Sequence, residues 1–220
     1  MDLTWTGDPL DVNELAFAVL AFDAAPGAIT PPSGWTLLSS SDETGAIPPC
    51  YARIYYNEGG ANGAQTWSWA NSANAAGCGA TWDGIKSTSP VDQDGKVNGT
   101  DDSLETSSET TTEADELLVY GAGQAATSLS NLTFSAPTNS FSIIVQIEET
   151  TARVAAALVA RIVAATGTYS SVLTSTLAGS WNTLFATFFA GTPLDPALFP
   201  HATMQLPSRV ALPRAEVIGY

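Results

Sequence analysis

The chain offers few side chains whose type and spacing could support catalysis. Its single histidine, His201, lies in a proline-rich segment without cysteine or carboxylate neighbours at metal-ligand spacing, so it does not predict a zinc site. A Ser-His-Asp triad would have to use this histidine, and the sequence has no Gly-x-Ser-x-Gly pattern to hold a nucleophilic serine. It has no Gly-x-Gly-x-x-Gly or phosphate-binding loop either.

Carboxylates are the one type of potentially catalytic side chain that is abundant in the sequence. Paired acids suffice for glycoside hydrolysis, and the chain has 22 Asp and Glu residues. Nine of them, with one lysine, fall between Asp92 and Glu116, where a solvated run of charge is the simpler interpretation. Asp92–Asn98 hints at a calcium loop, but Gly95 comes too early and Lys96 occupies a ligand position. We therefore predict no catalytic residue, no metal site and no cofactor, and we do not expect an enzyme.

Two tryptophans suggest a different kind of site. Trp67 and Trp69 alternate along one predicted strand, so they share a face and could stack on a sugar ring. Alternatively they fill the core. We prefer the core, because Ser68 and Ala70 form the thinner, opposite face.

The two cysteines, Cys50 and Cys78, do not make a disulfide framework. The simplest interpretation is two unpaired thiols at strand ends, since cysteine often behaves as a small core residue. They could pair if their strands are neighbours, which the sequence leaves open.

The composition favours a β protein and argues against nucleic acids and membranes as partners. Apolar residues make up 45% and charged residues only 13%, about half the usual share. The net charge of −15 repels polyanions, so we expect no nucleic-acid partner, and it attracts basic surfaces. The first residues lack a signal-like pattern, and no apolar run approaches the ~20 residues of a membrane span. We expect a protein kept in a cytoplasm, away from membranes.

The strands are predicted from apolar runs and breakers. Glu14–Phe22 is almost wholly apolar and is soon followed by Pro26-Gly27 and Pro31-Pro32, which predicts a strand buried on both faces. Arg153–Ala164 is rich in alanine, yet we assign it as a strand. The reason is that Ala160-Arg161-Ile162 aligns with Ala52-Arg53-Ile54, after which turns and strands follow in the same order.

The predicted fold class is all-β: a two-sheet β-sandwich of jelly-roll type built from two similar halves, with extended N- and C-terminal arms. Residues 1–13 form the N-terminal arm and 14–190 the sandwich domain. The halves are 14–86 and 116–190, joined by an exposed acidic connector, 87–115.

Residues 191–220 form a proline-rich C-terminal arm. Five prolines between Pro193 and Pro213 exclude a long helix or a central strand, yet the arm keeps many apolar residues. We expect it to lie extended on apolar surface, either of its own domain or of a neighbouring subunit. The candidate partner-binding residues are Leu198, Phe199, Met204, Leu206, Arg209, Leu212, Arg214 and Tyr220.

Three segments together carry a family resemblance. The run Glu14–Phe22, the corner Ile29–Leu38 with its Pro-Pro-Ser-Gly-Trp, and the strand Tyr51–Tyr56 resemble β-sandwich domains of structural proteins of tailed bacteriophages. The resemblance covers about residues 10–190. Such domains occur in both capsid and tail proteins.

A domain with two short arms is similar in layout to head decoration (cement) proteins. The resemblance implies a phage capsid decoration protein that binds the outer surface of the major capsid protein lattice as a homotrimer and stabilises the head. It would be assembled in the host cytoplasm and end on the capsid surface of the virion. The alternative is a carbohydrate- or receptor-binding module of a phage tail protein, and a small glycosidase is the least favoured interpretation.

Overall fold

A computed structural model describes residues 2–5, 14–45, 48–59, 61, 63–127, 131–149, 153–191 and 203–204. Within these ranges every helix-or-strand element is a β-strand, so the prediction of an all-β fold is confirmed. The candidate residue His201 lies outside the described residues.

The strands are numbered in chain order. The first nine are β1 (Asp2–Trp5), β2 (Leu15–Phe22), β3 (Ile29–Thr30), β4 (Trp35–Glu43), β5 (Cys50–Glu58), β6 (Gly63–Thr66), β7 (Ser68–Trp69), β8 (Ala75–Trp82) and β9 (Val91–Gly99). The next five are β10 (Ser103–Glu105), β11 (Glu109–Thr110), β12 (Glu116–Ala125), β13 (Phe134–Ser135) and β14 (Ser142–Glu149). The last are β15 (Val154–Val163), β16 (Thr168–Tyr169), β17 (Val172–Ser175), β18 (Ser180–Phe189) and β19 (Thr203–Met204).

Two five-stranded antiparallel sheets form the body of the molecule. Sheet I has the order β19-β8-β2-β5-β4, and sheet II has the order β14-β15-β12-β18-β9. The short strands make four smaller sheets, β1-β6, β3-β7, β10-β17-β13 and β11-β16. The central strand of each large sheet is buried along its whole length, β2 in sheet I and β12 in sheet II.

The main core lies between the two large sheets. Phe17, Val19 and Ile54 of sheet I share one buried cluster with Leu158 and Leu184 of sheet II. Alternate residues of each strand supply this layer, as the two-residue period of a strand requires. The packing of two such faces identifies the body as a β-sandwich.

Two glycines let the central strands β2 and β12 approach closely. A Cβ atom on Gly121 would lie 2.8 Å from Val19 Cγ2, and one on Gly123 would lie 2.9 Å from the Ala21 Cβ. Both distances are too short for real carbon–carbon contacts. The separation of the sheets at their centre therefore depends on these missing side chains.

Each large sheet is also covered on its outer face. Outside sheet II, Tyr120 and Phe185 pack with Leu104, Phe134 and Leu173. Outside sheet I, side chains from β2 and β5 pack against an aromatic cover that includes Trp35 and Trp67. Because both faces of β2 are buried, its sequence is a continuous apolar run and does not alternate between apolar and polar residues. The prediction that residues 14–22 form a strand buried on both faces is confirmed.

The segment predicted to be an exposed connector, residues 87–115, contains strands. β9 is an edge strand of sheet II and pairs with β18 from Trp181 to Phe188, and β10 and β11 belong to smaller sheets. An edge strand has one free side and can carry polar residues, so its composition resembles that of a loop. The segment that we expected to be an exposed acidic connector therefore contributes strands, which its composition did not predict.

Other strand boundaries also differ from those that the sequence predicts. The small residues 71–77 predict a turn and Asn131–Phe134 a strand. In the structure residues 75–77 begin β8, and β13 spans only Phe134–Ser135. Small residues favour turns in isolation, but here neighbouring strands and packing hold them extended. The assignment of residues 153–164 as a strand is confirmed by β15.

Candidate functional site

One of the eight candidate partner-binding residues lies within the described part of the chain. Met204 is in β19, which pairs antiparallel with the outer edge of β8, placing Thr203 opposite Ala80 and Met204 opposite Gly79. The other seven lie outside the described residues: Leu198, Phe199, Leu206, Arg209, Leu212, Arg214 and Tyr220. The C-terminal arm therefore touches its own domain at β19.

β19 lies where the two large sheets meet at one side of the sandwich. It contacts β8 of sheet I, β14 of sheet II and the short strand β1. On the opposite side of the sandwich, β9 of sheet II contacts β4 of sheet I, and Lys96 Nζ donates a hydrogen bond to the Ser40 carbonyl oxygen at 2.9 Å. Each open side of the sandwich thus carries an edge strand, β19 on one side and β9 on the other.

The tryptophan platform that a sugar-binding site would need is not formed by Trp67. Its side chain is fully buried, with ring centroids 4.9 Å from Trp35 and 6.2 Å from Tyr55. Trp69 is half-buried, and its ring lies 5.2 Å from that of Phe22. The preference for the core is confirmed for Trp67, and Trp69 packs against the same cluster.

Neither cysteine forms a disulfide and both are buried, in agreement with the simpler interpretation. Cys50 begins its strand as predicted, whereas Cys78 lies within its strand and not at its end. Cys50 lies in β5 and Cys78 in β8, and these strands flank β2 on opposite sides. The intervening strand separates them. Burial raises the pKa of the Cys78 thiol far above its usual value, so it remains protonated and unreactive at neutral pH.

A pair of carboxylates joins the start of β9 to the start of β12. The Asp92 carboxylate accepts two hydrogen bonds of 2.7 Å from Thr112, one from the backbone N–H and one from the hydroxyl. Burial opposes ionisation of Asp92, but the hydrogen bonds from Thr112 and Gln93 outweigh it and lower its pKa. Asp92 therefore stays ionised and anchors the loop before β12.

Glu116 has the opposite behaviour. Its side chain is fully buried, and one carboxylate oxygen accepts a 3.1 Å hydrogen bond from the Glu113 backbone N–H. Burial raises the pKa of Glu116 to about 6, with the charge of Asp92 adding to it, while bonds from Thr187 and Glu113 act against it. The sequence does not indicate this pair, because Glu116 stands at the head of an apolar run and Asp92 in a run of charge.

Hydrogen bonds within the protein engage this pair of carboxylates. Both oxygens of Asp92, where the sequence hints at a calcium loop, accept a hydrogen bond from Thr112. Among the residues that the structure describes, no three His, Cys, Asp or Glu side chains come together as metal ligands. Two acids with separated pKa values are the usual pair of a glycosidase, but a fully buried Glu116 cannot reach a polysaccharide.

A cavity of about 170 Å³ lies at one end of the sandwich. Its walls are small and neutral, and the Ser180 hydroxyl donates a 2.7 Å hydrogen bond to the Pro48 carbonyl oxygen. It therefore offers neither charge nor an available nucleophile. The lining residues are Pro48, Thr100, Ala126, Thr127, Ala178, Gly179 and Ser180.

The most strongly charged described surface follows β9, β10 and the loops after them. It is an acidic surface made of the exposed residues Asp94, Asp101, Asp102, Glu105 and Glu113. Asp94 and Glu105 lie in strands, and the other three lie in the loops that follow them. Such a surface attracts basic side chains over roughly a Debye length of ~8 Å at physiological salt.

Comparison of the chain with family models, with curated proteins and with solved structures found no match in any of the three. Within the described residues, no helix is long and apolar enough to cross a membrane.

Proposed function

We propose that this protein is a structural component of a bacteriophage head, a decoration protein that binds the major capsid protein lattice from outside. In this proposal it acts mechanically and not as an enzyme. It is assembled in the host cytoplasm and ends on the virion surface. The resemblance in residues 14–56 motivates the proposal, and the C-terminal arm supplies the means of binding.

The observation that carries the proposal is the pairing of β19 with the edge of β8. This segment of the arm adds a strand to a sheet edge through main-chain hydrogen bonds. Extended arms join β proteins together by the same kind of strand addition. The remaining candidate residues before and after β19 would extend this contact onto a neighbouring protein. The arm then connects a rigid β body to the lattice.

We also propose that the body consists of two similar halves. In sheet I, β2 lies between β5 and β8 with β4 beyond β5; in sheet II, β12 lies between β15 and β18 with β14 beyond β15. The small sheets β1-β6 and β3-β7 have counterparts in β11-β16 and in the pairing of β13 with β17. This order supports a repeated unit.

The same order gives no support to the jelly-roll detail. Each large sheet takes four of its five strands from one half of the chain, whereas a jelly roll distributes the strands of both Greek keys over its two sheets. A sandwich of two repeated units is the finer architecture that we propose.

Attachment to a lattice needs only modest contacts. Each contact contributes a binding free energy of about 25 cal/mol per Å² of apolar surface removed from water. A trimer that binds at several points gains avidity in addition. We propose that Arg209 and Arg214 of one copy meet the acidic surface of another. The trimer would then weaken at high salt.

The test is binding to expanded heads of the phage whose genome carries this gene. Full-length protein and a variant lacking residues 192–220 are mixed with undecorated heads, and bound protein is measured after sedimentation. We expect the full-length protein to bind at saturable copy number and the truncated protein to lose at least tenfold in affinity. A matched control, Leu37→Ala, changes the one large apolar side chain that is exposed among the described residues, and should bind normally.

Two results would count against the proposal. Heads that take up no full-length protein would remove the decoration role altogether. Undiminished binding of the truncated protein would remove the arm as the binding element. Sedimentation velocity of the free protein at low and high salt tests the trimer separately.

The carbohydrate- or receptor-binding alternative would need a surface other than the Trp67 and Trp69 face, because Trp67 is buried in the core. No specific observation in the described residues favours it. A glycan array that gives a clear signal with the folded protein would revive it.

A further inference from the structure

Residues 112–115, which we call the lid, are hydrogen-bonded to both members of the carboxyl pair Asp92 and Glu116 at one end of sheet II. We propose that Glu116 and Asp92 share one proton that keeps the lid closed, and that loss of this proton opens the lid and admits water to Glu116. The lid is thus a pH-dependent element of the fold. This inference holds with or without the proposed capsid role.

A β-bulge sets Asp92 apart from its neighbours in β9. Consecutive residues of β18 pair with Gln93 and then with Val91, so Asp92 is an extra residue between them. A bulge of this kind redirects a side chain relative to the rest of its strand. The Asp92 carboxylate is hydrogen-bonded to Thr112 of the lid and lies against Glu116 of β12.

The contact between Asp92 and Glu116 needs a proton. Their carboxyl groups lie within hydrogen-bonding range of each other, but two carboxylates are both acceptors and neither can donate. Glu116 Oε1 accepts from the lid, whereas Oε2 is buried and has no hydrogen-bond donor among the described residues. A proton on Glu116 makes this group an O–H donor to the Asp92 carboxylate, and hydrogen bonds to a charged acceptor are among the strong ones.

Burial decides which of the two acids keeps the proton. The charge of Asp92 is stabilised by the two 2.7 Å hydrogen bonds from Thr112. Glu116 is 0% exposed, and the bonds from the Glu113 N–H and from Thr187 do not replace the water that its charge would need. The proton therefore stays on Glu116, and the pair releases its two protons in separate steps.

The lid is the part of this site that can move. Residues 112–114 are exposed and belong to no strand. Just before the lid, the Thr111 N–H donates a 3.0 Å hydrogen bond to the Gly167 carbonyl oxygen, and just after it the chain enters β12 at the centre of sheet II. Asp115 joins the lid to β12 with φ of 59°, a left-handed conformation that costs energy in residues other than glycine. The lid can therefore open between two fixed points without the loss of a strand.

Opening of the lid hydrates Glu116. In the closed form, ionisation places a second negative charge beside Asp92 and away from water, which is unfavourable. In the open form the Glu116 proton passes to water and the carboxylate is solvated. Because the pKa of Glu116 is about 6 when buried and 4.5 in its ordinary environment, the equilibrium should shift toward the open form by about thirtyfold above pH 6.

Among the described residues, no cation pairs with Glu116 in place of the proton. Its partners in β15 and β18 are the uncharged Val163 and Phe189. Lys86 Nζ lies 4.9 Å from the centre of the Phe189 ring, and the charge that acts on Glu116 is that of Asp92. The other charged residues on the adjoining elements are Asp94 and Lys96 of β9, Glu109 of β11, Glu113 and Asp115 of the lid, and Arg161 of β15, which lies over the rings of Phe141 and Tyr169.

Hydrogen exchange of single amides, measured by NMR, tests the opening of the lid. The amides of Thr112 and Glu113 donate to the two carboxyl groups only in the closed form. After correction for the intrinsic pH dependence of exchange, we expect their protection to fall by about thirtyfold between pH 4.5 and 7.5. Because the opening is local, low concentrations of urea should not change it.

Two other amides serve as references in the same spectra. Thr111, outside the lid, and Leu118, within β12, should be better protected than the lid amides at every pH. Lid amides whose protection is independent of pH would overturn the proposal. Lid amides that are as well protected as Leu118 and equally sensitive to urea would also overturn it, because they would then exchange through global unfolding.

Glu116→Gln removes the titrating group. The glutamine amide can donate to Asp92 as the protonated acid does, so the lid should stay closed and its protection should be the same at pH 4.5 and 7.5. The matched control, Glu113→Gln, removes a carboxyl group on the lid itself and should keep the pH-dependent loss at Thr112. A Glu116→Gln protein that shows the pH dependence of the parent would contradict the proposal.

Asp92→Asn tests the sharing of the proton and answers the case in which Glu116→Gln does not fold. Asparagine has no charge and can donate to the Glu116 carboxylate, so the pKa of Glu116 should fall and the pH-dependent loss of protection should shrink. The carbon chemical shift of the Glu116 carboxyl group should titrate near pH 6 in the parent protein.

An unchanged loss of protection in Asp92→Asn would exclude the shared proton. Titration of the parent Glu116 near pH 4.5 would exclude the buried acid on which the lid depends. None of these measurements involves capsids, so failure here is distinguishable from failure of the proposed function.

Discussion

Single residues in this protein matter mainly through what surrounds them. Glu116 is the clearest example, because an ordinary carboxyl acquires a pKa of about 6 once it is buried at the head of β12 beside Asp92. Gly121 is a second example, because a side chain at this position would clash with Val19. Each leads to a measurable consequence for stability.

Glu116 should make the protein less stable as pH rises. Its folded-state pKa of about 6 exceeds the reference value of 4.5, so the folded state binds more protons than the unfolded state between these values. The free energy of unfolding should fall between pH 4.5 and 6 and then level off. Glu116→Gln should remove this loss and be more stable than the parent by about 1 kcal/mol above pH 6, with the difference vanishing below pH 4.5.

Urea unfolding at pH 4, 5, 6 and 7.5 measures this difference. The control is Glu113→Gln, which removes an exposed carboxyl nearby and leaves the buried Glu116 in place. Asp92, whose pKa is lowered, acts in a separate window, since its contribution is lost only as pH falls below about 4. A Glu116→Gln variant that is equally less stable at every pH would contradict the assignment.

Gly121 should tolerate no side chain while Val19 is present. The added Cβ of Gly121→Ala would sit 2.8 Å from Val19 Cγ2, and overpacking of this kind costs about 1–3 kcal/mol. The double variant with Val19→Ala relieves the clash. Its loss in the free energy of unfolding should therefore be smaller than the sum of the losses of the two single variants. Strict additivity, measured by denaturant unfolding, would show that the sheets do not meet at this point.

At the level of elements, the edge strands decide the architecture. β9 has the composition of a loop, yet it completes sheet II, and Gly99 at its end packs on the face of Trp181. Its polar residues are compatible with strand structure because only one of its two edges must pair. Composition is a poor guide to secondary structure for strands of this type.

Gly99→Ala distinguishes a strand from a connector at residues 91–99. The new Cβ would lie 2.5 Å from the Trp181 ring, so we expect a loss of about 1–3 kcal/mol in the free energy of unfolding and a change in tryptophan fluorescence. Asn98→Ala, at the exposed neighbouring residue, should change stability by less than about 0.5 kcal/mol. A neutral Gly99→Ala would mean that β9 is not held against β18.

At the level of the whole molecule, the two large sheets are one structural unit. They share the core around Val19 and Leu158, and hydrogen bonds cross between them. Asn182 Nδ2 of β18 donates to the Cys50 carbonyl oxygen at 3.0 Å, and Lys96 Nζ of β9 donates to the Ser40 carbonyl oxygen. Neither sheet can lose its partner without exposing the largest apolar layer of the protein.

Unfolding should therefore be a single cooperative transition. Trp82 reports on the core of sheet I and Trp181 on the outer layer of sheet II, while far-ultraviolet circular dichroism reports on all strands. Urea curves from the variants Trp82→Phe and Trp181→Phe, followed by fluorescence, should each coincide with the curve from circular dichroism. Two separated transitions would show that the halves are independent.

The sequence by itself determined the strand class and the central strands. The run at residues 14–22 and the alanine-rich segment at 153–164 were assigned as strands, and both hold, because breakers and β-branched residues restrict what such runs can form. The burial of both cysteines without a disulfide and the core position of Trp67 also followed from residue type. Local chemistry sufficed for these features.

Only the tertiary structure decided the rest. The strand nature of β9, the pairing of Asp92 with Thr112, the buried state of Glu116 and the position of β19 on β8 all depend on residues far away in the chain. Strand partners are chosen by packing and register across the whole sheet, and a linear pattern with a period of two does not contain that information.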